Sequence, residues 1–439
     1  MHPESPNQKL NICLLGGSNS LITFGIRRGI SNLANEFNLA LGGSTSLQNI
    51  YALTQHHAHI VEHIDAIVTE SNVNDAHAIR SAGVSKTLIK KNVKNLYREL
   101  ALSQKPTIAL LLPLRQYMDN VVSADIAQEV REYHLEAIEQ YGMDLVDVES
   151  ALSEYTMDHV HTRKIIPDPF HPVDTFMYEL GLNIGRHLAD TVSKSDGTPF
   201  APSFKIIRAE EMSARLRNKS NSFFNQNVLD ITTPIRFNTG NGICVAIASW
   251  PDNQCELILK NDNVHIVKQL NSLYALNEFQ QVVRGDVSLE SNLGPSKGCT
   301  EGSTNTLPRN FLEHPVSLVG LLIENDVAET PVIVRKTKEL SHLIPLAAVH
   351  IQSVRRVLKN MDLDVAPMTI DDVNLLRDAA ARLESIDLKK ALQLMQLAAR
   401  FRPGGVIIRE KIESYEKQLN SNATRKKKSV IERLKRHLK

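Results

Sequence analysis

The chain has 439 residues, of which 42% are hydrophobic and 23% are charged, and its formal net charge is +1. A chain of this length is expected to form two or three domains, and the near-neutral charge argues against a general affinity for nucleic acid. No apolar run reaches the roughly 20 residues of a membrane-spanning helix, and no apolar segment of signal-peptide type precedes the first predicted strand. We therefore expect a cytoplasmic protein.

The first part of the chain, residues 1–195, alternates strand-like and helix-like segments. Its apolar, strand-like runs are Ile12–Leu15, Phe37–Leu41, Ala66–Thr69, Thr107–Leu112 and Asp144–Val148. The helix-like stretches between them are Ser46–Val61, Lys86–Leu102 and Ser123–Tyr141. This alternation predicts an α/β domain in which helices cover both faces of a parallel sheet.

The pattern changes after a linker, Thr191–Ser203, that is rich in Ser, Gly and Pro. Between residues 204 and 330, short β-like runs recur and are separated by turn-prone residues: Gly242–Ala248, Cys255–Leu259, Val264–Val267, Phe279–Val283 and Val316–Ile323. We interpret this part as a β-rich module of the sandwich or jelly-roll type.

The last part, residues 331–439, has apolar residues at helical spacing and resembles a TPR-like helical hairpin. Such a region suits an oligomer contact or a protein partner. Its tail, Arg425–Lys439, holds eight Lys or Arg residues against one Glu. Two interpretations of the tail stay open. It is either an amphipathic helix for the inner face of an anionic membrane or a solvated basic tail.

Polar and glycine-rich segments follow the first three predicted strands of the first domain, and a fourth such segment lies near the end of the domain. In an open parallel sheet, ligands bind at the carboxyl ends of the strands, so these segments are expected to meet at one edge. In chain order they are Gly16-Gly17-Ser18, Gly42-Gly43-Ser44-Thr45, Asn72-Val73-Asn74-Asp75 and Asp168-Pro169-Phe170-His171-Pro172.

Together these segments resemble the sequence blocks of the SGNH hydrolases, also called the GDSL family, over residues 9–190. The family blocks are Gly-Asp-Ser, a glycine after the second strand, Gly-x-Asn-Asp, and Asp-x-x-His. The resemblance implies a flavodoxin-like, three-layer domain with Ser18 as nucleophile and with Asp168 and His171 completing a triad. It also implies an oxyanion hole formed by the backbone N–H groups of Ser18 and Gly43 and by the side chain of Asn74.

Two positions depart from the family pattern, because Gly17 replaces the Asp of the first block and Asn72 replaces the Gly of the third. The resulting GGSNS segment resembles a divergent branch of the family that is associated with bacterial surface polysaccharides. Gly42 is the neighbouring alternative to Gly43 in the second block.

The residue types suit acyl-transfer chemistry. Serine is a weak nucleophile until a base removes its proton, and His171 would be that base. Asp168 would fix the tautomer of the imidazole and stabilise its charged form. A tetrahedral intermediate needs preorganised donors for its oxyanion, each of which is typically worth roughly 10²–10³ in turnover. Glycine at position 43 lets the backbone approach the substrate.

Other residues compete for these roles. Ser20 lies in the same turn as Ser18, but Ser18 has the family's offset from the strand. Asp158-His159-Val160-His161 is a second Asp-x-x-His segment, without the proline that follows His171. We expect Asp75 to be a structural partner of the third block.

Two sets of residues in the sequence could bind a metal ion: a group of histidines and the cysteines. On a helix, His56, His59 and His63 would share one face, which suits either a metal site or an ordinary polar surface. We expect no metal. The cysteines show no CxxC spacing, which favours free thiols: Cys13, Cys244, Cys255 and Cys299.

The resemblance implies a serine-dependent enzyme that works through an acyl-serine on O-acyl groups, above all O-acetyl groups, of a carbohydrate or a capsule-type polysaccharide. Both an esterase, which is a hydrolase, and an O-acetyltransferase fit. Neither requires a bound cofactor, and a transferase could use acetyl-CoA as its acyl donor. The alternative is a non-catalytic glycan-binding or assembly protein that retains the SGNH fold.

Overall fold

The computed structural model describes residues 9–114, 123–155, 166, 170–194, 197, 200–220, 225–250, 255–270, 276–295, 297–301, 314–326, 335–345, 373–374, 376–377, 380–381, 384, 388–402 and 405–437. The chain forms two compact units, Met1–Ser353 and Val354–Lys439. The first unit contains both an α/β domain and the β-rich strands.

A five-stranded parallel sheet forms the centre of the α/β domain. Its strands are β1 (Asn11–Leu15), β2 (Asn35–Asn38), β3 (Ala66–Thr69), β4 (Thr107–Leu111) and β5 (Asp144–Asp147). Their spatial order is β2-β1-β3-β4-β5, which is the order of flavodoxin-like sheets. Every residue of β3 and β4 is buried, as expected for parallel strands that are covered on both faces.

Strand β2 differs from the predicted run Phe37–Leu41, since it starts two residues earlier and ends at Asn38. The side-chain oxygen of Asn38 accepts a hydrogen bond from the backbone N–H of Ala40 at 2.8 Å. Such an Asx turn offers the backbone an alternative to strand pairing, which explains the early end of the strand.

The helices of the α/β domain lie between and beside these strands. They are α1 (Ser18–Leu21), α2 (Ile26–Ser31), α3 (Ser46–Gln55), α4 (His57–His63), α5 (Asn72–Ala82), α6 (Lys86–Leu102), α7 (Ala124–Tyr141), α8 (Val148–Tyr155) and α9 (Asp174–Thr191). Helix α2 packs against α9, whereas α6 packs against α3 and α7, so the helices form two groups around the sheet.

The β-rich part contains β6 (Phe204–Arg208), β7 (Arg217–Ser220), β8 (Asn225–Asp230), β9 (Ile235–Asn238), β10 (Ile243–Ser249), β11 (Cys255–Lys260), β12 (His265–Leu270), β13 (Leu276–Val283), β14 (Asp286–Asn292) and β15 (Ser317–Glu324), with a short helix α10 (Ala209–Met212). These strands form two antiparallel sheets, one with the path β13-β10-β15-β8-β7 and the other with the order β12-β11-β14-β9. Apolar residues from both sheets share one core.

The six-stranded sheet also packs against the α/β domain. Ile323 of β15 lies in the core between the two β-sheets, whereas its neighbour Leu322 lies in the core of the α/β domain. Successive side chains of a strand point to opposite faces of the sheet, so the two residues face different cores. Phe204 of β6 is buried in that same α/β core. The β-rich strands and the α/β domain therefore share a hydrophobic core.

The predicted start of the helical region at residue 331 is wrong, because residues 335–345 do not belong to that region. This segment runs beside β5: the N–H of Leu145 donates to the carbonyl of Lys338 at 2.9 Å, and the N–H of Leu340 donates to the carbonyl of Leu145 at 2.7 Å. Leu340 and Leu343 are buried in the α/β core. The segment thus belongs to the first unit.

The second unit contains two long helices, α11 (Leu388–Phe401) and α12 (Val406–His437), which pack against each other. Tyr415 is fully buried, and its hydroxyl donates to Glu384 Oε2 at 3.1 Å. The basic tail continues α12 as far as residue 437. In the described part of the chain, no helix is both long enough and apolar enough to cross a membrane.

Candidate active site

Ser18 and His171 lie in direct contact, although 153 residues separate them in the sequence. Ser18 follows β1 and begins α1, and His171 lies in the segment that leads into α9. The Oγ atom of Ser18 is 2.6 Å from Nε2 of His171, which is hydrogen-bonding distance. A serine hydroxyl bonded to an imidazole is the arrangement that activates serine as a nucleophile.

Side chains of neighbouring elements approach the backbone of the turn before Ser18 closely. A β-carbon on Gly17 would lie 2.1 Å from Nδ2 of Asn74, and one on Gly16 would lie 2.7 Å from Oε1 of Glu70. The side-chain amide of Asn74 therefore lies directly against the backbone of Gly17.

The segment that carries His171 is held by its neighbours. The amide of Asn19, on α1, donates to the carbonyl of Phe170 at 3.1 Å. The ring of Phe170 meets the ring of His77 edge-on, with the centroids 5.3 Å apart. These contacts tie the histidine segment to the helices that carry Ser18 and Asn74. Asp168 and the second Asp-x-x-His segment, Asp158 to His161, lie outside the described residues.

Gly43 and Asn74 line one cavity at the carboxyl end of the sheet. Gly43 has a φ of 76°, a left-handed conformation that favours glycine. Gly42 has no heavy atom within 4 Å of its would-be β-carbon, so its surroundings do not require glycine. Of the two glycines, Gly43 is therefore the one whose backbone conformation favours glycine.

Asn72 and Asp75, which flank Asn74 on α5, hold the start of this helix. The amide of Asn72 donates to the carbonyl of Leu112 at 2.7 Å, and its oxygen accepts from the N–H of Leu112 at 3.1 Å. The Asn72 side chain therefore connects α5 to the segment that follows β4. A glycine at this position could not make these two hydrogen bonds, because it has no side chain.

Asp75 is completely buried and anchors α5 to two other helices. It accepts hydrogen bonds from the backbone N–H and the hydroxyl of Ser46 at 2.9 and 2.7 Å, and it lies 3.1 Å from Nε2 of His134. Nδ1 of His134 is in turn 3.0 Å from the hydroxyl of Tyr97. This network gives Asp75 the structural position that the sequence suggested.

Sequence reasoning missed Glu70, which follows β3 directly and is 1% exposed. Its Oε1 atom accepts hydrogen bonds from the N–H of Gly17 at 2.6 Å and from the hydroxyl of Ser20 at 3.3 Å. Burial raises the pKa of Glu70 to about 7, against the lowering effects of these hydrogen bonds and of nearby His171. The available signal was a charged residue directly after the predicted strand Ala66–Thr69.

The position of Ser20 also separates it from Ser18. Ser20 is buried, and its hydroxyl is bonded to Glu70. The hydroxyl of Ser18 is bonded to the imidazole of His171. Of the two serines in the turn, Ser18 has the contact that nucleophilic catalysis requires.

The three histidines of the candidate metal site make contacts with aromatic rings and a carboxylate. The ring of His59 stacks on Phe37 with the centroids 4.1 Å apart, and it lies 4.8 Å from the ring of His63. His63 lies 3.5 Å from exposed Glu62. Among the residues that the structure describes, no group of three or more His, Cys, Asp or Glu side chains is arranged to hold a metal ion.

No family model matches the chain, and no curated protein matches it. Solved structures that are similar to it include a lipase/acylhydrolase from Enterococcus faecalis, with 17% identity, a TM-score of 0.35, and coverage of 42% of this chain and 98% of that one.

A second is acetyl xylan esterase AlAXEase, with 15% identity, a TM-score of 0.30, and coverage of 41% of this chain and 96% of that one. A third is a variant of the acetyl-xylooligosaccharide esterase Axe2 from Geobacillus Stearmophilus, with 13% identity, a TM-score of 0.32, and coverage of 42% of this chain and 94% of that one. At these identities and scores, the likenesses assign no activity to this chain.

Proposed function

We propose that this chain is a serine-dependent acyl-ester enzyme of the SGNH type. The observation that carries the proposal is the 2.6 Å contact between Ser18 Oγ and His171 Nε2 at the carboxyl end of a flavodoxin-like sheet. Ser18 follows β1 and Asn74 follows β3, and these two strands are neighbours at the point where the strand order reverses. Ligands of doubly wound sheets bind at such a switch point.

The reaction starts when Nε2 of His171 takes the proton of the Ser18 hydroxyl while Oγ attacks the carbonyl carbon of the ester. The N–H groups of Ser18 and Gly43 and the amide of Asn74 donate to the oxyanion of the tetrahedral intermediate. His171 then returns the proton to the leaving alcohol, and an acyl-serine remains. We assign Asp168 the role of orienting the second ring nitrogen of His171.

We further propose that the substrate carries an O-acetyl group on a carbohydrate or polysaccharide. Water as the acceptor of the acyl-serine makes the protein an esterase, and a sugar hydroxyl makes it an O-acetyltransferase. For the second reaction we propose acetyl-CoA as the acyl donor. The carbohydrate assignment rests on the sequence resemblance of the GGSNS segment, and the acyl-serine step rests on the Ser18–His171 contact.

The proposal is tested with p-nitrophenyl acetate, with an acetylated oligosaccharide, and with mass spectrometry of the protein to detect an acetyl group on Ser18. Ser18→Ala and His171→Ala should each lower kcat on the order of 10⁴–10⁶-fold, and the double variant should lose little more, because the two residues act as a unit.

Ser20→Ala is the matched control, and it should retain most of the activity. A Ser18→Ala protein that still turns over both esters would contradict the proposal, as would loss of activity in Ser20→Ala alone.

A further inference from the structure

Glu70 holds the turn at residues 16–20, which carries Ser18 and which we call the nucleophile turn. The Oε1 atom of Glu70 accepts hydrogen bonds from the N–H of Gly17 at 2.6 Å and from the hydroxyl of Ser20 at 3.3 Å. One oxygen atom is therefore bonded to residues before and after Ser18. The shorter bond fixes the backbone at the residue that leads into the proposed nucleophile.

The main chain of Glu70 is itself fixed at the end of β3. Its N–H donates to the carbonyl of Leu15 at 3.1 Å, which continues the pairing of β3 with β1. Its carbonyl accepts a hydrogen bond from the side-chain amide of Asn49, a buried residue of α3, at 3.4 Å. The carboxyl group thus extends from a rigid part of the scaffold, as a group that positions a reacting side chain must.

Glu70 also joins two segments that supply groups of the proposed reaction. Asn74, the proposed oxyanion donor, follows Glu70 by four residues, and its side-chain amide lies against the backbone of Gly17. The hydrogen bond from Gly17 to Glu70 therefore connects the segment of Asn74 to the nucleophile turn. Without this bond Ser18 could move relative to Asn74, and a displacement of about 1 Å can cost about 10²-fold in rate.

The hydrogen bonds from Gly17 and Ser20 need only an oxygen acceptor, which a glutamine would also provide. The second carboxyl oxygen of Glu70, Oε2, is buried and has no hydrogen-bond partner among the described residues. A buried carboxylate with an unpartnered oxygen destabilises the fold. What the carboxylate supplies at this place, and a glutamine does not, is a negative charge.

The titratable groups around Glu70 come from several elements. Burial raises the pKa of Glu70 to about 7, and His171, in the segment before α9, acts against this rise. Burial raises the pKa of Tyr97 on α6, and the charges of Asp75 and Glu70 raise it further. Tyr97 is bonded to His134 of α7, which lies 3.1 Å from Asp75, so these three side chains contact one another. Of the groups near Glu70, His171 is the one that gains a charge in the proposed reaction.

We propose that Glu70 is a positioning residue, which holds Ser18 beside Asn74 through Oε1 and, when ionised, stabilises the positive charge that His171 gains. This inference rests on the proposed function. The proton moves from Ser18 Oγ to His171 Nε2 as Oγ attacks the ester, and Glu70 neither gives nor takes a proton in this step. Ionised Glu70 attracts the imidazolium more strongly than the neutral imidazole, so its charge favours the transition state over the ground state.

The test compares the wild type, Glu70→Gln and Glu70→Ala on p-nitrophenyl acetate between pH 5.5 and pH 8.5. Glu70→Gln keeps the acceptor and lacks the charge, like the protonated form of Glu70. The ratio of kcat/KM of the wild type to that of Glu70→Gln should be about 1 at pH 5.5 and should rise to about 10 at pH 8.5. The midpoint of this rise should lie at about pH 7, because ionisation of Glu70 causes it.

Glu70→Ala lacks the acceptor as well as the charge. Its kcat should be about 10²-fold below that of Glu70→Gln at every pH, with KM changed by less than about twofold, because the substrate does not contact Glu70. If circular dichroism shows that Glu70→Ala is unfolded, Glu70→Met takes its place, since it fills a similar volume without an oxygen acceptor. Equal kcat in Glu70→Gln and the folded variant without an acceptor would overturn the positioning role.

Glu149 supplies the matched control for the charge. It is a partly buried carboxyl group whose pKa burial also raises to about 7, and it lies 3.6 Å from Nε of Arg131. It follows β5, which is two strands away from β3 in the sheet. The ratio of kcat/KM of the wild type to that of Glu149→Gln should not change with pH. The same constant ratio for Glu70→Gln would overturn the role of the charge.

Amide hydrogen exchange separates this proposal from the proposed function. In the full chain, a peptide that covers residues 12–25 is followed by mass spectrometry. Its protected amides should exchange about tenfold faster in Glu70→Ala, or in its substitute Glu70→Met, than in the wild type, and Glu70→Gln should match the wild type. A wild type that turns over no ester would refute the proposed reaction and the role of the charge, whereas the exchange rates would still decide the positioning role. Equal exchange in the wild type and in the variant without an acceptor would refute that role.

Discussion

Replacing Glu70 with glutamine should remove a pH-dependent part of the free energy of unfolding. Glu70 is buried beside the turn that carries Ser18, and its Oε1 atom accepts hydrogen bonds from the N–H of Gly17 and the hydroxyl of Ser20. A glutamine of the same shape keeps an oxygen at this place and cannot ionise. The variant therefore isolates the consequence of burying a carboxyl group next to Ser18.

The magnitude follows from the shift in the pKa of Glu70, from the ordinary 4.5 to about 7. Between these two values the native protein binds a proton that the unfolded chain has released, so raising the pH favours unfolding. From pH 5 to pH 8, the free energy of unfolding of the wild type should fall by roughly 2–3 kcal/mol relative to that of Glu70→Gln.

The assay is urea unfolding of both proteins, followed by circular dichroism at several pH values between 5 and 8. Other groups with raised pKa values, such as Glu149 and Glu278, are common to both proteins and cancel in the difference. Glu62→Gln, at an exposed position, is the control for the removal of one carboxyl group. A difference between wild type and Glu70→Gln that stays constant over this pH range would refute the reasoning.

The parallel sheet could be predicted because β1, β3 and β4 are built on short apolar runs, whereas β2 contains only one apolar residue and was placed less accurately. The predicted run Ala66–Thr69 coincides with β3, and Ile12–Leu15 lies within β1. Ser18 could be singled out because it directly follows a strand of such a sheet, where ligand-binding residues gather. His171 could be singled out only because its Asp-x-x-His segment resembles a block of the SGNH hydrolases. The 2.6 Å distance between Ser18 Oγ and His171 Nε2 depends on the tertiary structure and could not be derived from the sequence.

The pKa of Glu70 and the cavity that Gly43 and Asn74 line could not be predicted, because both arise from burial between distant segments. Asn277 is one polar residue at the start of a strand, and only the packing of β13 against α6 brings it to the cavity that contains Gly43. The segment at residues 335–345 was missed for a similar reason. It is bonded to β5 through backbone atoms, which carry no signal of residue type.

The remaining predictions concern the nucleophile turn and the limits of the catalytic unit. Gly17→Ala should lower kcat about 10²-fold, since its β-carbon would lie 2.1 Å from Nδ2 of Asn74 and displace this proposed oxyanion donor. Gly42→Ala should cost much less, because its β-carbon meets no atom within 4 Å; equal losses in both variants would contradict this explanation. A chain truncated after Ser193 should not fold stably, whereas one that ends at residue 345 should. The shorter chain lacks five large side chains of the α/β core: Phe204, Leu322, Leu340, Leu343 and Ile344. Burying one such side chain contributes about 1.5–3 kcal/mol, so the five contribute about 8–15 kcal/mol, which is comparable with the whole stability of a typical domain, about 5–15 kcal/mol. Thermal unfolding followed by circular dichroism decides, and a cooperative transition in the chain that ends at Ser193 would show that the α/β domain is stable without the β-rich strands.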